Sequence, residues 1–415
     1  MAGLVKHYQN TMKGIPQLTN NWGAMINLLD AVLVNGFNHV TILGLTKANT
    51  SSITATINLG SDHGFIDRQV VRIAGSTNGW DGDYKVLSVD TNSITIECTA
   101  EHPSVISGTA SCFTAPADFE IVHQTPSDST EPKRAYRSTN PESLGLILLV
   151  HDFCVTGAAA AGAKFAKVGV VSSMSDIDTI TGTQMPFDSV NPNSNWGWDG
   201  TNHGWAKWYY RTHSYTGANS SYADSAIAAN GTSTFNVVSD GTSLCLDLYT
   251  GNQHSHAVYG VFEFHDESYN GTNITLLAHG LQGKIAENQA TVNNGRTGLV
   301  WQASNSANYG SPNQYIRGML WFNHLGIANQ TPAGPPLMLY TPGTTWYEQN
   351  INPVIFSDML LIDNNNLPRG IIPFLKITTG NSVSQGVAEC GKYINKAGYG
   401  LTAIVTRYAV LLESK

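Results

Sequence analysis

The chain has 415 residues and a formal net charge of −8, with 13% charged and 41% hydrophobic residues. At roughly 100–200 residues per domain, that length allows two to four domains with ample buried cores. The composition excludes a disordered chain, which needs high net charge and few aromatics. It also argues against a nucleic-acid partner, because the only basic feature is the short pair Lys133 and Arg134 and phosphate counterions are displaced by clustered Lys and Arg. The 40 glycines, the dense Asn, Ser and Thr, and the many Val, Ile and aromatic residues read as mostly β.

No apolar stretch approaches the ~20 residues that cross a bilayer. Leu144–Val150 is the longest of interest, so no membrane insertion is expected. Met1–Gln9 has no apolar segment of signal-peptide type, which implies synthesis in a cytoplasm. Cys98, Cys112, Cys154, Cys245 and Cys390 are widely spaced and form no CxxC pair, so neither a disulfide framework nor a zinc ribbon is expected. Cys98 continues the apolar phase of Ile94 and Ile96, as a buried structural thiol would.

In chain order, residues 1–38 read as an N-terminal arm, Met1–Thr19, followed by a short amphipathic helix. Asn20 or Asn21 is placed to cap the helix. Trp22, Met25, Ile26, Leu29 and Leu33 share one face at a 3.6-residue period, and Gly36 ends it. The arm has too few hydrophobes for its own core, as expected of a segment that is ordered by a neighbouring subunit or frays. Residues 39–117 read as a small β-barrel module. Its strands are expected around Ile53–Asn58, Val71–Ile73, Tyr84–Val89 and Ile94–Cys98, with a hairpin turn at Asp90–Asn92. Residues 118–163 read as a linker and a hairpin, closed by an Ala/Gly loop at 157–163. Residues 164–415 read as a larger β-sandwich-like domain. It has strand candidates at Lys167–Ser172, Thr234–Val238, Ser243–Tyr249, Ala257–Phe264 and Ile274–Ala278, and a long last strand at Leu401–Leu412.

The chemical motifs are near-misses. Gly157–Lys164 reads GAAAAGAK, but a phosphate loop needs GxxxxGK followed by a hydroxyl for Mg²⁺. Here Ala163 stands at the lysine position and Phe165 follows Lys164. There is no GxSxG and no HExxH. His254 and His256 would share a strand face, with His265 and Asp266 further on, but no third zinc ligand is recognisable. The acidic pairs Asp176/Asp178 and Glu263/Asp266 would have to face each other across a sugar to act as glycosidase carboxylates, whereas Asp in Gly/Thr-rich loops ordinarily builds turns. The reading is therefore of a non-enzyme with no cofactor and no metal. Trp196, Trp198, Trp205, Trp208, Tyr209 and Tyr210 form an aromatic cluster among Asn and Gly. Trp198, Trp205 and Trp208 are candidates for stacking on a host surface glycan; the competing role for them is core or interface packing.

Several segments carry a further pattern. KHYQNTMKGIPQLTNNWGAMINLLDAVLVNGFN (6–38) contains a GxPxL segment and a helix ending in LDAxLVxGF. It resembles the start of a family of tailed-bacteriophage and prophage virion structural proteins. SDHGFIDRQVVRIAGSTNGWDGDYKVLSVDTNSITIE (61–97) is similar to the small β module that follows in that family, itself compared with the FCCH-type domain of ubiquitin-activating enzymes. KRAYRS (133–138), LILLVHDF (146–153), VSSMSDIDTITGTQMPF (171–187), VYGVFEFHDES (258–268) and LPRGIIPFL (367–375) resemble later family segments. Arg68 and Gln69 stand where the family usually shows Gly-Asp, which implies a differently built turn.

The resemblance implies a place in a virion and transfers no catalytic residue. The expectation is a component of the tail, baseplate or neck-fibre apparatus that acts by oligomeric assembly with itself and other virion proteins. The alternatives are a capsid decoration protein or a receptor- or glycan-binding module of the tail. The anchoring candidates are Tyr8, Trp22, Leu29 and Leu33, whose equal alternative is packing the helix against the small module. The long last strand is expected to complete a neighbour's sheet.

Overall fold

Alternating apolar and polar residues dominate the chain, and antiparallel strands are the result. The computed structural model describes residues 4–152, 165–185, 206–211, 230–249, 256–267 and 270–277, then separate strands between 299 and 411. Among these residues the protein is mostly β, with one short helix near the N-terminus.

The first strand, β1 (Lys6–Gln9), precedes the helix α1 (Ala24–Leu29), which continues as a π-helical stretch, Asp30–Asn35. Seven strands then form a sheet of their own: β2 (Phe37–Thr41), β3 (Gly44–Lys47), β4 (Thr54–Asn58), β5 (Val70–Ala74), β6 (Gly82–Val89), β7 (Ser93–Glu97) and β8 (Ser111–Thr114). The hydrogen-bonded order is β2-β8-β5-β6-β7-β4-β3. Its two edges, β2 and β3, are consecutive in the chain, so the sheet must curl. The segment entering β8 closes the gap through the bridge Thr46↔Val105 and the bonds Ile106 N–H to Leu45 O and Lys47 N–H to Ser104 O. Inward residues of this roll, among them Ile57, Val71, Val86, Ile94, Ile96 and Trp80, make a separate core. A barrel-like module thus follows from period-2 patterning plus a bend at Ile42–Leu43.

A second sheet contains β9 (Phe119–Gln124), β10 (Lys133–Ser138), β11 (Ile147–His151), β12 (Phe165–Val171), β15 (Gln184–Met185) and β16 (Ala206–Tyr209). The hairpin β13 (Met174–Asp176) and β14 (Thr179–Ile180) lies beside it. The large sheet holds β1 together with β17 (Thr234–Ser239), β18 (Leu244–Tyr249), β19 (His256–Asp266) and β20 (Gly271–Leu277). It continues through β21 (Leu299–Val300), β22 (Ile316–Phe322), β23 (Ile327–Ala328), β24 (Leu337–Leu339), β25 (Phe356–Ile362), β26 (Pro368–Thr378), β27 (Gly386–Ala388), β28 (Tyr393–Lys396) and β29 (Arg407–Leu411).

The second sheet and the large sheet share the main core. Leu148 and Val150 of β11 and Ala166, Val168 and Val170 of β12 meet Phe235, Val237, Leu246, Leu248 and Tyr259 of the large sheet. On the opposite face of β11, Ile147 and Leu149 are covered by Ile177 and Ile180 near the small hairpin. This arrangement is sandwich-like. The second sheet includes β11 and β12, which pair with each other, so the expected boundary at 163/164 falls inside one sheet.

Three local expectations are corrected. First, the N-terminal arm is built into the fold: Lys6–Gln9 pairs antiparallel with Asn236–Ser239, Leu18 bridges Ser233, and Tyr8, Met12, Ile15 and Leu18 are core residues. Second, the buried face of the helix is wider than expected: Ala24, Met25, Ile26, Leu28, Leu29, Ala31, Val32 and Leu33 are all buried, while Asn27 and Asn35 are exposed. Its apolar residues pack within the main core rather than on the core of the small module. Third, β29 lies between β26 and β28. Both of its edges are paired, so it offers no free strand to a neighbour's sheet; residues 401–406 lie outside the described residues.

The turn before β5 places a non-glycine residue in a left-handed conformation. Arg68 has φ 64°, a left-handed conformation that favours glycine. Gln69 is buried, and its side chain accepts from Ile66 N–H and donates to Thr114 Oγ1. Replacing Arg68 with Gly relieves the side-chain strain and slightly raises the entropy of the unfolded chain. The expected net gain is ~0.5–1 kcal/mol, read as a higher urea midpoint at unchanged slope.

Candidate functional site

The charged and polar residues that enter the interior collect where the elements meet. The helix has no local cap: Gly23 occupies the N-cap position with φ 81° and no side-chain bond. Asn20 and Asn21 do not cap it. The cap comes from Asp152, 127 residues further along, whose Oδ2 accepts from Met25 N–H at 2.8 Å and from Ile26 N–H at 3.4 Å. Its Oδ1 accepts from the Tyr210 hydroxyl at 2.7 Å, and its backbone carbonyl accepts from Gly23 N–H. Burial pushes the Asp152 carboxyl up to about 7, against the opposing pull of these donors.

The same helix is tied from its middle. Asp30 Oδ1 accepts from the Tyr136 hydroxyl at 2.6 Å, and Oδ2 accepts from Arg134 Nε at 3.2 Å. The π-helical stretch, with Gly36 N–H bonded to Ala31 O, starts at this aspartate. Burial first, then the Asp30 charge, pushes the Tyr136 hydroxyl well above its ordinary range.

A third junction joins β1 to the small module. Lys6 Nζ lies 2.6 Å from Asp83 Oδ2, 2.6 Å from Asp118 Oδ2, and donates to Pro116 O at 2.5 Å. Arg72 grips Asp83 through two bonds of 2.5 and 2.9 Å and reaches Asp118 at 2.6 Å. Beside them Tyr8 donates to Ala115 O at 2.9 Å. Two cations against two carboxylates leave no excess charge in the cluster. The Lys6 and Arg72 bonds hold the half-buried Asp118 below the usual carboxylate range, although its desolvation opposes this.

The fourth junction joins β19 to β26. Asp266, fully buried, accepts from Arg369 Nη2 at 2.5 Å and from Asn273 Nδ2 at 3.2 Å. Glu267 N–H donates to Arg369 O at 2.7 Å. A side chain at Gly370 would collide with His265 O.

The residues singled out from sequence divide accordingly. Tyr8, Leu29 and Leu33 have no exposed surface and pack the chain's own core, while Trp22 is partly buried against that core. As anchors for another subunit, the three fully buried side chains have no free face. Trp208 is also a core residue: its indole N–H donates to Leu277 O at 2.9 Å, and its ring stacks on Tyr259. It presents no ring to a glycan, which corrects its candidacy. Trp196, Trp198 and Trp205, and the GAAAAGAK segment, lie outside the described residues.

The acidic pairs do not face one another. Asp176 accepts from Asp178 N–H inside an exposed turn, and Asp178 pairs with Lys133 at 2.5 Å. Glu263 binds the Ser143 hydroxyl and Leu144 N–H, and it points to the opposite strand face from Asp266. His265 is exposed beside Glu267, on the face away from Asp266; His256 opens β19, and His254 lies outside the described residues. Among the described residues no group of three or more His, Cys, Asp or Glu is placed to hold a metal. Cys98, Cys112 and Cys245 are buried free thiols, each pushed up by burial; Cys154 and Cys390 lie outside the described residues. Among the described residues no helix is long and apolar enough to cross a membrane.

Sequence reading missed Asp152, Lys6 and Arg369 as junction residues. Their partners are distant in the chain, and the only local signal is a charge set in or beside an apolar strand. Compared with known proteins, the chain matches no family model and no curated protein.

Two outcomes follow from this placement. Trp208→Ala removes a buried indole and leaves Leu277 O without its donor. The expected cost is ~3–5 kcal/mol in chemical denaturation, as for a large core residue.

His7 supplies the second. It is buried on β1 and pushed down to about 4 by desolvation. The folded protein therefore holds this imidazole neutral while the unfolded chain protonates it near ~6.5. Its contribution is complete above that value and is lost as pH falls towards about 4. His7→Gln should flatten this limb by up to ~3 kcal/mol, seen by comparing urea stability of the two proteins at several pH values.

Proposed function

We propose that the protein is a structural component of a tailed-phage virion, of the tail, baseplate or neck-fibre apparatus, and that it acts by oligomeric assembly. The observation that carries the reading is where the motif residues lie. The aspartate of the LDA segment, Asp30, binds the tyrosine of KRAYRS, Tyr136. The aspartate of LILLVHDF, Asp152, caps the helix of the opening segment. The aspartate of VYGVFEFHDES, Asp266, pairs with the arginine of LPRGIIPFL, Arg369. Segments that resemble one family along the chain are therefore in contact across the fold, and their charged residues hold elements together. This favours a scaffold over a catalyst, since these acids are engaged by cations, hydroxyls and backbone N–H groups.

Assembly on this reading uses faces and loops of a pre-built body, with other virion proteins or further copies of the chain as partners. Trp208 in the core removes one of the three rings on which the glycan-binding alternative rests.

Copy number tests the proposal. Quantitative mass spectrometry of purified particles, referenced to the major capsid protein, should give a small count set by the symmetry of a tail or neck ring. Hundreds of copies would move the protein to the capsid surface as a decoration protein. Absence from particles would refute the virion assignment.

A further inference from the structure

We propose that Asp152 and Tyr210 form a proton-operated catch between the start of the helix and the 206–211 segment, with two hydrogen-bonded states that differ by one proton. The geometry supplies both states. The Tyr210 hydroxyl has one proton to donate and, among the described residues, two acceptors in reach: Asp152 Oδ1 at 2.7 Å and Asn21 O at 3.4 Å. With the carboxyl ionised, Tyr210 donates to Asp152, and the Met25 and Ile26 N–H groups hold Oδ2. With the carboxyl protonated on Oδ1, Asp152 donates to the Tyr210 oxygen, and the phenol proton turns to Asn21 O. Oδ2 keeps both helix N–H bonds in either state. Among these groups no donor or acceptor is stranded by the change, so the fold accommodates it.

Among the described residues the surroundings favour neither charge strongly. From the helix, residues Ala24–Leu29 present no titratable side chain. From β10, Tyr136 faces the site, with Asp30 and Arg134 behind its hydroxyl. Tyr210 is the facing group of the 206–211 segment; its neighbour Arg211 turns to Ser233 and Asn230 O. Lys133, His151 and Lys167, paired across β10, β11 and β12, lie on the other face of the sheet. Complete burial then tilts the balance to the protonated acid over an acidic range where an exposed aspartate would be ionised. The two partners, the helix start and 206–211, are thereby joined by a bond whose direction reverses with pH.

The test is an infrared pH titration of the full-length protein carrying aspartate labelled with ¹³C at the side-chain carboxyl, which separates Asp152 from the buried Glu263. The expected result is a protonated aspartic-acid band that disappears near neutral pH. It should be missing in Asp152→Asn. In Tyr210→Phe it should persist to higher pH, because the donor that favours the carboxylate has gone. A packing role alone would leave that midpoint in place. The proposal is overturned if all labelled carboxyls titrate in the ordinary acidic range, if the band survives in Asp152→Asn, or if Tyr210→Phe does not raise its midpoint. Should Asp152→Asn fail to fold, the wild-type and Tyr210→Phe titrations decide.

Discussion

One buried carboxyl fixes the position of everything around the helix. A helix that begins at a glycine and lies inside the core exposes its first N–H groups to an apolar surrounding, where each unsatisfied group costs ~1–3 kcal/mol. Asp152 satisfies two of them through its side chain. The exchange is not free, because taking a carboxylate out of water costs several kcal/mol. Hydrogen bonds from three donors would by themselves hold such an acid far below its ordinary range. Its upward displacement shows that desolvation is the larger effect. Since Asp152 directly follows β11, at the centre of the second sheet, the cap also sets where the helix sits on that sheet.

The other junctions follow the same logic. A chain with few charges places Lys6, Arg72, Asp83 and Asp118 in one cluster. It buries Arg369 against Asp266. Buried ion pairs contribute little net stability relative to apolar packing, but they strongly penalise any arrangement that separates the partners. Apolar faces of two sheets can slide past one another with modest loss; an ammonium between two carboxylates and a carbonyl cannot. The hydrophobic core supplies the driving force for collapse, and these polar contacts select the register in which the sheets meet.

Much of the strand content was legible because period-2 alternation is local. Ile53–Asn58, Tyr84–Val89 and Thr234–Val238 coincide closely with β4, β6 and β17. The helix was legible as an element but not in its environment. Its face of Trp22, Met25, Ile26, Leu29 and Leu33 is widened by Leu28 and Val32, which are equally buried, so the wet side narrows to a strip that includes Asn27 and Asn35. The π-helical stretch further turns the residues after Leu29 relative to a 3.6-residue period. The N-terminal arm misled for a different reason. Met1–Thr19 has too few apolar residues for a core of its own, yet Tyr8, Met12, Ile15 and Leu18 suffice when β17 supplies the rest. Trp208 was ambiguous in principle, since an indole beside Asn and Gly suits both a sugar face and a core; only Tyr259 and Leu277 O, contributed by distant strands, decide between them.

The placement of the chain's outer strands bears on how such a body can assemble. β1 joins the large sheet next to β17, and β29 runs inside the same sheet with a partner on either side. Exchange of the first strand between copies would have to break the Lys6 cluster and withdraw Tyr8 from the core, a loss of charge pairing and burial together. Donation of the last described strand would open two ladders at once. Strand exchange at either end is therefore costly. In the assembly proposed above, contacts between subunits would fall instead on sheet faces and loops, where they can form without reopening the core; Leu43, Ile53 and Val105 of the small module are exposed. Among the described residues, the contacts that hold the helix, β1 and the small module in place are made within a single chain, so in the proposed assembly each subunit would be folded before it docks.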